Sequence, residues 1–221
     1  MPKNVLFSHI RKVFVCVPFL VFFFFVSSCT ENFVKDGSPS DSVGVKVARE
    51  SLKHLGEVLI DFNGKKYDLD CSGFVRFLFL QYAKVDLDRY VIKQSKSKVE
   101  AYYNTFEVGE KGKFKVMPGD LIFFDNTYDR NRNGVMDDEL THIGLVVGYD
   151  RDSGSVVFVN KSKGKPVSLG YVNFNYPDRH YIVREGRSIQ VNSYVRDDRA
   201  AKLLSTQAFR GFGRVPIGEN D

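Results

Sequence analysis

A chain of 221 residues that is 43% hydrophobic and 27% charged has enough apolar side chains for one packed core and enough charge to keep it soluble, which excludes a low-complexity or disordered polymer. Its formal net charge of +5 rests on 32 cationic and 27 anionic residues. Three of the cations, Lys3, Arg11 and Lys12, lie in the first 28 residues, so the remaining 193 carry only +2, with lysines interspersed among acids; no nucleic-acid partner is expected of such a surface.

Residues 1–28 contain no acid, and their basic start leads into a run of fourteen apolar residues, Val13 to Val26. That pattern predicts a secretory signal, because the run is shorter than the ~20 residues an α-helix needs to cross a bilayer. It closes on Val26-Ser27-Ser28-Cys29, which resembles the lipobox of bacterial lipoprotein precursors. The resemblance implies cleavage before Cys29, lipidation of its sulfur, export, and a membrane contact made through that lipid anchor. Thr30, where inner-membrane retention is often linked with an aspartate, tilts the expected location of the anchor toward the outer membrane. Residues 29–43, with the small polar stretch Asp36-Gly37-Ser38-Pro39-Ser40-Asp41-Ser42, are expected to be a flexible tether, and residues 44–221 one folded domain.

Cysteine usage narrows the chemistry. Of three cysteines, Cys16 leaves with the signal and Cys29 is spoken for by lipid, so only Cys71 remains in the folded body and no internal disulfide is possible. A lone thiol in an exported protein points to chemistry or to deep burial.

Along the domain, Ala48, Leu52, Leu55 and Leu59 recur at helical spacing, with His54 off that face and expected in solvent. From Cys71 to about Tyr82, the residues Phe74, Val75, Leu78, Phe79 and Tyr82 cover so much of the circumference that this helix is expected to be central. Ile92, Val99, Tyr102 and Phe106 suggest another helix. Met117-Pro118-Gly119-Asp120 is a turn launching a strand over Leu121 to Phe124. Further strands are expected at Ile143 to Gly148, Val156 to Asn160 and Tyr181 to Val183, and an edge strand near Gly211 to Val215. Helices early and strands late predict an α+β domain with N-terminal helices packed on a central antiparallel β-sheet.

Three segments in series carry a specific resemblance: Asp70-Cys71-Ser72-Gly73-Phe74-Val75, then Pro118-Gly119-Asp120-Leu121-Ile122-Phe123-Phe124, then Thr141-His142-Ile143-Gly144-Leu145-Val146-Val147-Gly148. In order and content they look like the successive motifs of NlpC-type cell-wall cysteine peptidases, which are papain-like hydrolases. The resemblance spans roughly residues 45–165.

The residues support the same chemistry independently of that resemblance. A thiol in the first turn of a helix faces unpaired N–H groups and the positive end of the helix dipole, so the helix start is expected to favour thiolate, and the N–H of Cys71 is a candidate oxyanion donor. His142 is the candidate base, and Gly144, two residues on along the same face, is expected to let a buried helix approach. His180, in a polar Asp178-Arg179-His180 turn, suits a solvated role. In the resembled family a polar residue on the next strand, often histidine, orients the base. Here Asn160 holds that place, and its amide oxygen can accept an imidazole N–H. The resemblance further implies that Asp70 and Ser72 bind the free amine of an L-alanyl-γ-D-glutamyl stem peptide; a helix cap accounts for Asp70 equally well. The plain alternative for Cys71 is a small buried hydrophobe.

Asp129, Asn131, Asn133 and Asp137 follow the oxygen-ligand spacing of an EF-hand calcium loop, with Gly134 at the sixth position, but the twelfth is Leu140. Either a structural calcium or a solvated Asn-Gly connection fits, and no cofactor is required for the chemistry. Together these features predict a peptidoglycan hydrolase that cuts stem peptides through a Cys-His-Asn mechanism and a thioester, most naturally at the γ-D-glutamyl to diamino-acid bond. An amidase of related fold and a catalytically silent envelope-binding lipoprotein are the competing outcomes.

Overall fold

The computed structural model describes residues 42–91, 95–107, 115–199 and 201–217. The signal, Cys29 and the tether up to residue 41 lie outside them, as does Ile92. Among the described residues, Ser42 is the N-cap of helix α1 (Val43–Ser51), its hydroxyl accepting the N–H of Val45 at 3.4 Å.

Two further helices follow, α2 (Cys71–Ala83) and α3 (Lys98–Phe106), each begun by a side-chain cap, Asp70 for α2 and Ser97 for α3. The hairpin β1 (Ile60–Phe62) and β2 (Lys65–Tyr67) separates α1 from α2. Beyond α3 come β3 (Leu121–Phe124), β4 (His142–Asp150), β5 (Ser155–Asn160), β6 (Ser168–Val172), β7 (Tyr181–Arg184), β8 (Arg187–Gln190), β9 (Tyr194–Asp197), β10 (Lys202–Leu204), the short helix α4 (Ser205–Ala208) and β11 (Phe209–Gly213). The central sheet has the order β11-β3-β4-β5-β6 and every neighbouring pair is antiparallel.

This sheet is buried on both faces, and the alternation of strand side chains sorts the core in two. Leu121, Phe123, Ile143, Leu145, Val157 and Val159 share a cluster with Val47, Phe74, Leu78, Val99 and Phe106 of the helices. Ile122, Phe124, Val146, Phe158 and Val172 join Val116 and Ala208 in a second cluster. Such strands read as continuous apolar runs rather than as alternating ones. Each fully buried phenylalanine contributes roughly 1.5–3 kcal/mol, and Phe74, Phe79, Phe123 and Phe124 are all fully buried. At the turn before β3, Gly119 has φ +96°, and a Cβ there would lie 2.4 Å from the Cα of Gly44, so backbone meets backbone where α1 crosses the turn.

Several expectations are corrected. Leu55 and Leu59 do not extend the first helix: it passes into a 3₁₀ turn over Leu52–His54 and Gly56 follows with φ +86°, leaving both leucines exposed. His54 is not in solvent. Its ring nitrogens meet Glu57 at 2.8 Å and the Tyr82 hydroxyl at 2.7 Å, and its face packs edge-on against Phe74 and Phe77. Residues Tyr181–Arg184 form a strand as expected but pair with β8 in a separate ribbon rather than in the central sheet. The strand at the C-terminal end runs from Phe209 to Gly213 and lies at the sheet edge beside β3.

Candidate active site

Cys71 is the first residue of α2, and Asp70 accepts the Gly73 N–H at 2.7 Å and the Ser72 hydroxyl at 3.0 Å through the same oxygen. Asp70 therefore does act as a cap, and it also stands on the wall of the cleft. Backbone N–H interactions of Ile143, Ser72 and Cys71 itself pull the Cys71 thiol down against its burial. The Ile143 interaction links Cys71 to the strand that starts with His142.

His142 opens β4, buried beside Phe124, its register partner on β3. The β4–β5 register pairs Leu145 with Val159, and continuing it sets Asn160 opposite Gly144, one diagonal step from His142 on the same face. Across that diagonal, Nε2 of His142 lies 3.1 Å from Oδ1 of Asn160. The Asn160 amide nitrogen donates to the Ser168 carbonyl at 3.1 Å, which fixes the amide with its oxygen toward the ring. An acceptor facing Nε2 makes that nitrogen the protonated one, so the lone pair is on Nδ1. The space over Gly144 is not used by a helix, as its small size suggests, but by the Phe158 ring, 2.8 Å from where a Cβ would stand.

Asp70, Cys71, Ser72 and His142 line one cavity of about 480 Å³, a volume suited to a short peptide segment. Its opposite wall, which sequence reasoning did not foresee, comes from Thr127, Tyr128 and Arg130 of the β3–β4 connection. Bonds within the connection hold that wall: Asp125 accepts the Leu140 N–H at 2.7 Å, Asn126 the Asp138 N–H at 2.8 Å, and Arg130 Nη2 donates to the Glu139 and Leu140 carbonyls. Polar side chains reaching their own connection's backbone at its base are the signal that was available.

The same connection contains the calcium spacing, and its side chains are engaged with one another. Asp129 accepts the N–H groups of Asn133 and Gly134, and the amide nitrogens of Asn131 and Asn133 both donate to Asp137, so the loop's polar groups are bonded to one another. Among the described residues no three or more His, Cys, Asp or Glu side chains are gathered to hold a metal ion. No chemical step is routed through calcium.

The protonation state of the pair departs from the helix-start argument. Burial pushes the Cys71 thiol up to about 11, and the Asp70 charge adds to this, while the N–H groups of Ile143, Ser72 and Cys71 oppose it without prevailing. The residue keeps partial exposure to the cavity, so water tempers this push. Burial also lowers His142 below its ordinary 6.5, countered by the Asn160 bond and by Asp70. The resting pair is thus neutral thiol and neutral imidazole. Alkylation of the Cys71 peptide by iodoacetamide, followed by mass spectrometry, is expected to accelerate about tenfold per pH unit from about pH 7 to 9. A rate already level at neutral pH would reveal a resting thiolate instead.

His180 is engaged elsewhere. Its Nδ1 bonds the Asn192 carbonyl, and its ring lies 4.1 Å from that of Tyr181 and 4.5 Å from that of Tyr194.

The model of the NlpC/P60 family matches residues 61–185 of this chain. A gamma-DL-glutamyl hydrolase of Bacillus subtilis (strain 168) is 28% identical over 135 residues, which are 60% of this chain and 26% of that protein; the chain thus spans about a quarter of that relative's length. Among solved structures, a Staphylococcus aureus subsp. aureus Mu50 protein, similar to lipoprotein of the NLP/P60 family, is 20% identical with a TM-score of 0.36 over 61% of this chain and 38% of that one. NlpC2 from Trichomonas vaginalis is 23% identical with a TM-score of 0.36, covering 72% of this chain and 50% of that one.

Proposed function

Because this chain belongs to the NlpC/P60 family, we propose that its domain is a cell-wall hydrolase cutting amide bonds of peptidoglycan stem peptides, with Cys71 as nucleophile, His142 as base and Asn160 as the residue that orients the base. The observation that carries this is the convergence of Cys71 and His142 on one cavity, with the far nitrogen of the base held by Asn160.

The chemistry follows from the neutral resting pair. As Sγ attacks the scissile carbonyl carbon, its proton passes to Nδ1 of His142, and Asn160 keeps the resulting imidazolium aimed. As the sulfur bonds to carbon, the Cys71 N–H at the start of α2 is the proposed donor to the developing oxyanion. The C–N bond then breaks as Nδ1–H protonates the leaving amine, and a thioester remains on Cys71. Water attacks that thioester, Nδ1 takes its proton, and the thiol is reprotonated on release of the acid. No cofactor takes part in these steps.

The γ-D-glutamyl to diamino-acid bond is the proposed target. The name of the Bacillus relative, a gamma-DL-glutamyl hydrolase, supports it, as does Asp70 on the cleft wall, a carboxylate suited to the free amine of an L-alanyl end with Ser72 beside it. Mass spectrometry of defined muropeptides after incubation decides the matter. Release of L-alanyl-γ-D-glutamate is expected. Cleavage between muramic acid and L-alanine would make the protein an amidase, and no product at all would favour an envelope-binding lipoprotein.

Export and lipid anchoring at Cys29 belong to the same proposal and rest on the first 29 residues of sequence, and placement of that anchor in the outer membrane rests on Thr30. No helix among the described residues is long and apolar enough to cross a membrane. Metabolic labelling with an alkyne fatty acid is expected to mark the wild type and not Cys29→Ala; an unlabelled wild type removes the anchor.

A further inference from the structure

Lys161 is fully buried, and none of the proposed chemistry uses it. Its Nζ lies 3.0 Å from Oδ1 of Asp68 and 3.4 Å from the Ser162 carbonyl. Both oxygens of Asp68 also accept the Gly164 N–H, at 2.9 and 3.0 Å. Taking an ammonium out of water is costly, and lysine is almost never fully buried unless paired, so packing alone would favour an apolar residue here.

The places of the two partners give the pair its meaning. Lys161 directly follows Asn160, at the end of β5. Asp68 stands three residues before Cys71, on the segment that enters α2. The contact therefore spans 93 positions of sequence and joins the end of the strand that carries Asn160 to the segment that leads into Cys71. The Asn160 side chain itself has one lateral tether, the Ser168 carbonyl on β6. Nothing in that tether refers the strand end to the nucleophile's helix, whereas the Lys161–Asp68 pair does.

We propose that Lys161 is a positioning residue: its buried ammonium, gripped by Asp68, holds Asn160 against His142 and sets that pair relative to the Cys71 segment. The kinetic part of the test rests on the catalytic reading above; the spectroscopic part does not. In the full chain labelled with ¹⁵N-histidine, the His142 Nε2–H donated to Asn160 should give a ring N–H signal protected from exchange with water, identified by its loss in Asn160→Ala. Lys161→Met, which keeps length and removes charge, is expected to speed that exchange at least about tenfold and to lower kcat about tenfold with KM within about threefold. On the Asn160→Ala background the same change should cost less than about twofold, because residues acting through one another are not additive. Lys161→Arg should restore part of kcat by restoring the charge.

Should Lys161→Met fail to fold, Asp68→Asn, which leaves Lys161 in place and keeps an oxygen for Gly164, is read by the same signals. An unchanged exchange rate in a folded variant, or a loss that multiplies fully on the Asn160→Ala background, would leave the pair a structural brace only and overturn the proposal. A wild type that hydrolyses no muropeptide counts against the catalytic reading alone, since the exchange measurement still decides whether Lys161 positions Asn160.

Discussion

Cys71→Ala is expected to abolish hydrolysis of stem peptides, with turnover falling by at least about 10,000-fold, while the domain stays folded. The acyl group has no other thiol to attach to among the described residues, since Cys71 is the one cysteine there. Cys71→Ser falls nearly as far. A serine hydroxyl is a weaker acid than a thiol already pushed up to about 11, and the base facing it is a buried imidazole whose affinity for protons is below the ordinary value. The melting temperature should change little for either variant, because the substitution removes or exchanges one atom in the first turn of α2 and leaves the Asp70 cap intact. Muropeptide cleavage and thermal melting measured on the same preparation check both halves. Persistent cleavage by folded Cys71→Ala would take Cys71 out of the mechanism.

Asn160→Ala is expected to lower kcat/KM by about 10- to 1,000-fold, carried mainly by kcat, whereas Asn160→His retains much of the activity. The alanine leaves the buried Nε2–H of His142 without its acceptor, so the ring both loses its aim and bears an unpaired polar group. A histidine at 160 offers a ring nitrogen as acceptor in the same place. The imidazole is depressed by burial, so it stays in its unprotonated, base-competent form to lower pH than a free histidine. The acid limb of the kcat/KM profile should accordingly fall below pH 6.5. His180→Ala supplies the control and should cost less than about twofold, since that ring is bonded to the Asn192 carbonyl rather than to His142. Loss of activity in His180→Ala with retention in Asn160→Ala would move the orienting role to His180.

Elements written in contiguous residues were legible beforehand. The Asp70 cap and the dense apolar run from Phe74 to Tyr82 predicted α2, which starts at Cys71 and ends at Ala83. The Pro118-Gly119 turn predicted β3, whose bounds are Leu121 and Phe124. Other local signals are present but weaker. Asn63-Gly64, both at positive φ, is a hairpin turn between β1 and β2, and its strands escaped notice because Lys65-Lys66-Tyr67 is exposed throughout and shows no buried face. β6 was hidden by Gly170, which looks like a breaker but is where the Phe158 ring rests.

By itself the sequence determined the helix that begins at Cys71, a strand over Ile143 to Gly148 that the fold starts at His142, the strand that ends at Asn160 and the order in which they occur, because each is encoded by neighbours a few residues apart. Tertiary structure decided what those residues become when they meet. It took the expected thiolate back to a neutral thiol, since the cost of burying a charge depends on everything packed around the sulfur and outweighs three N–H groups nearby. It drew His54 out of solvent into an aromatic cluster, put Phe158 rather than a helix over Gly144, and made a wall of the cleft from the β3–β4 connection. It also joined Lys161 to Asp68 across 93 positions, a pairing that no local pattern of charge or hydropathy announces, because only the closed fold buries the Lys161 ammonium against a carboxylate that itself stays partly in water.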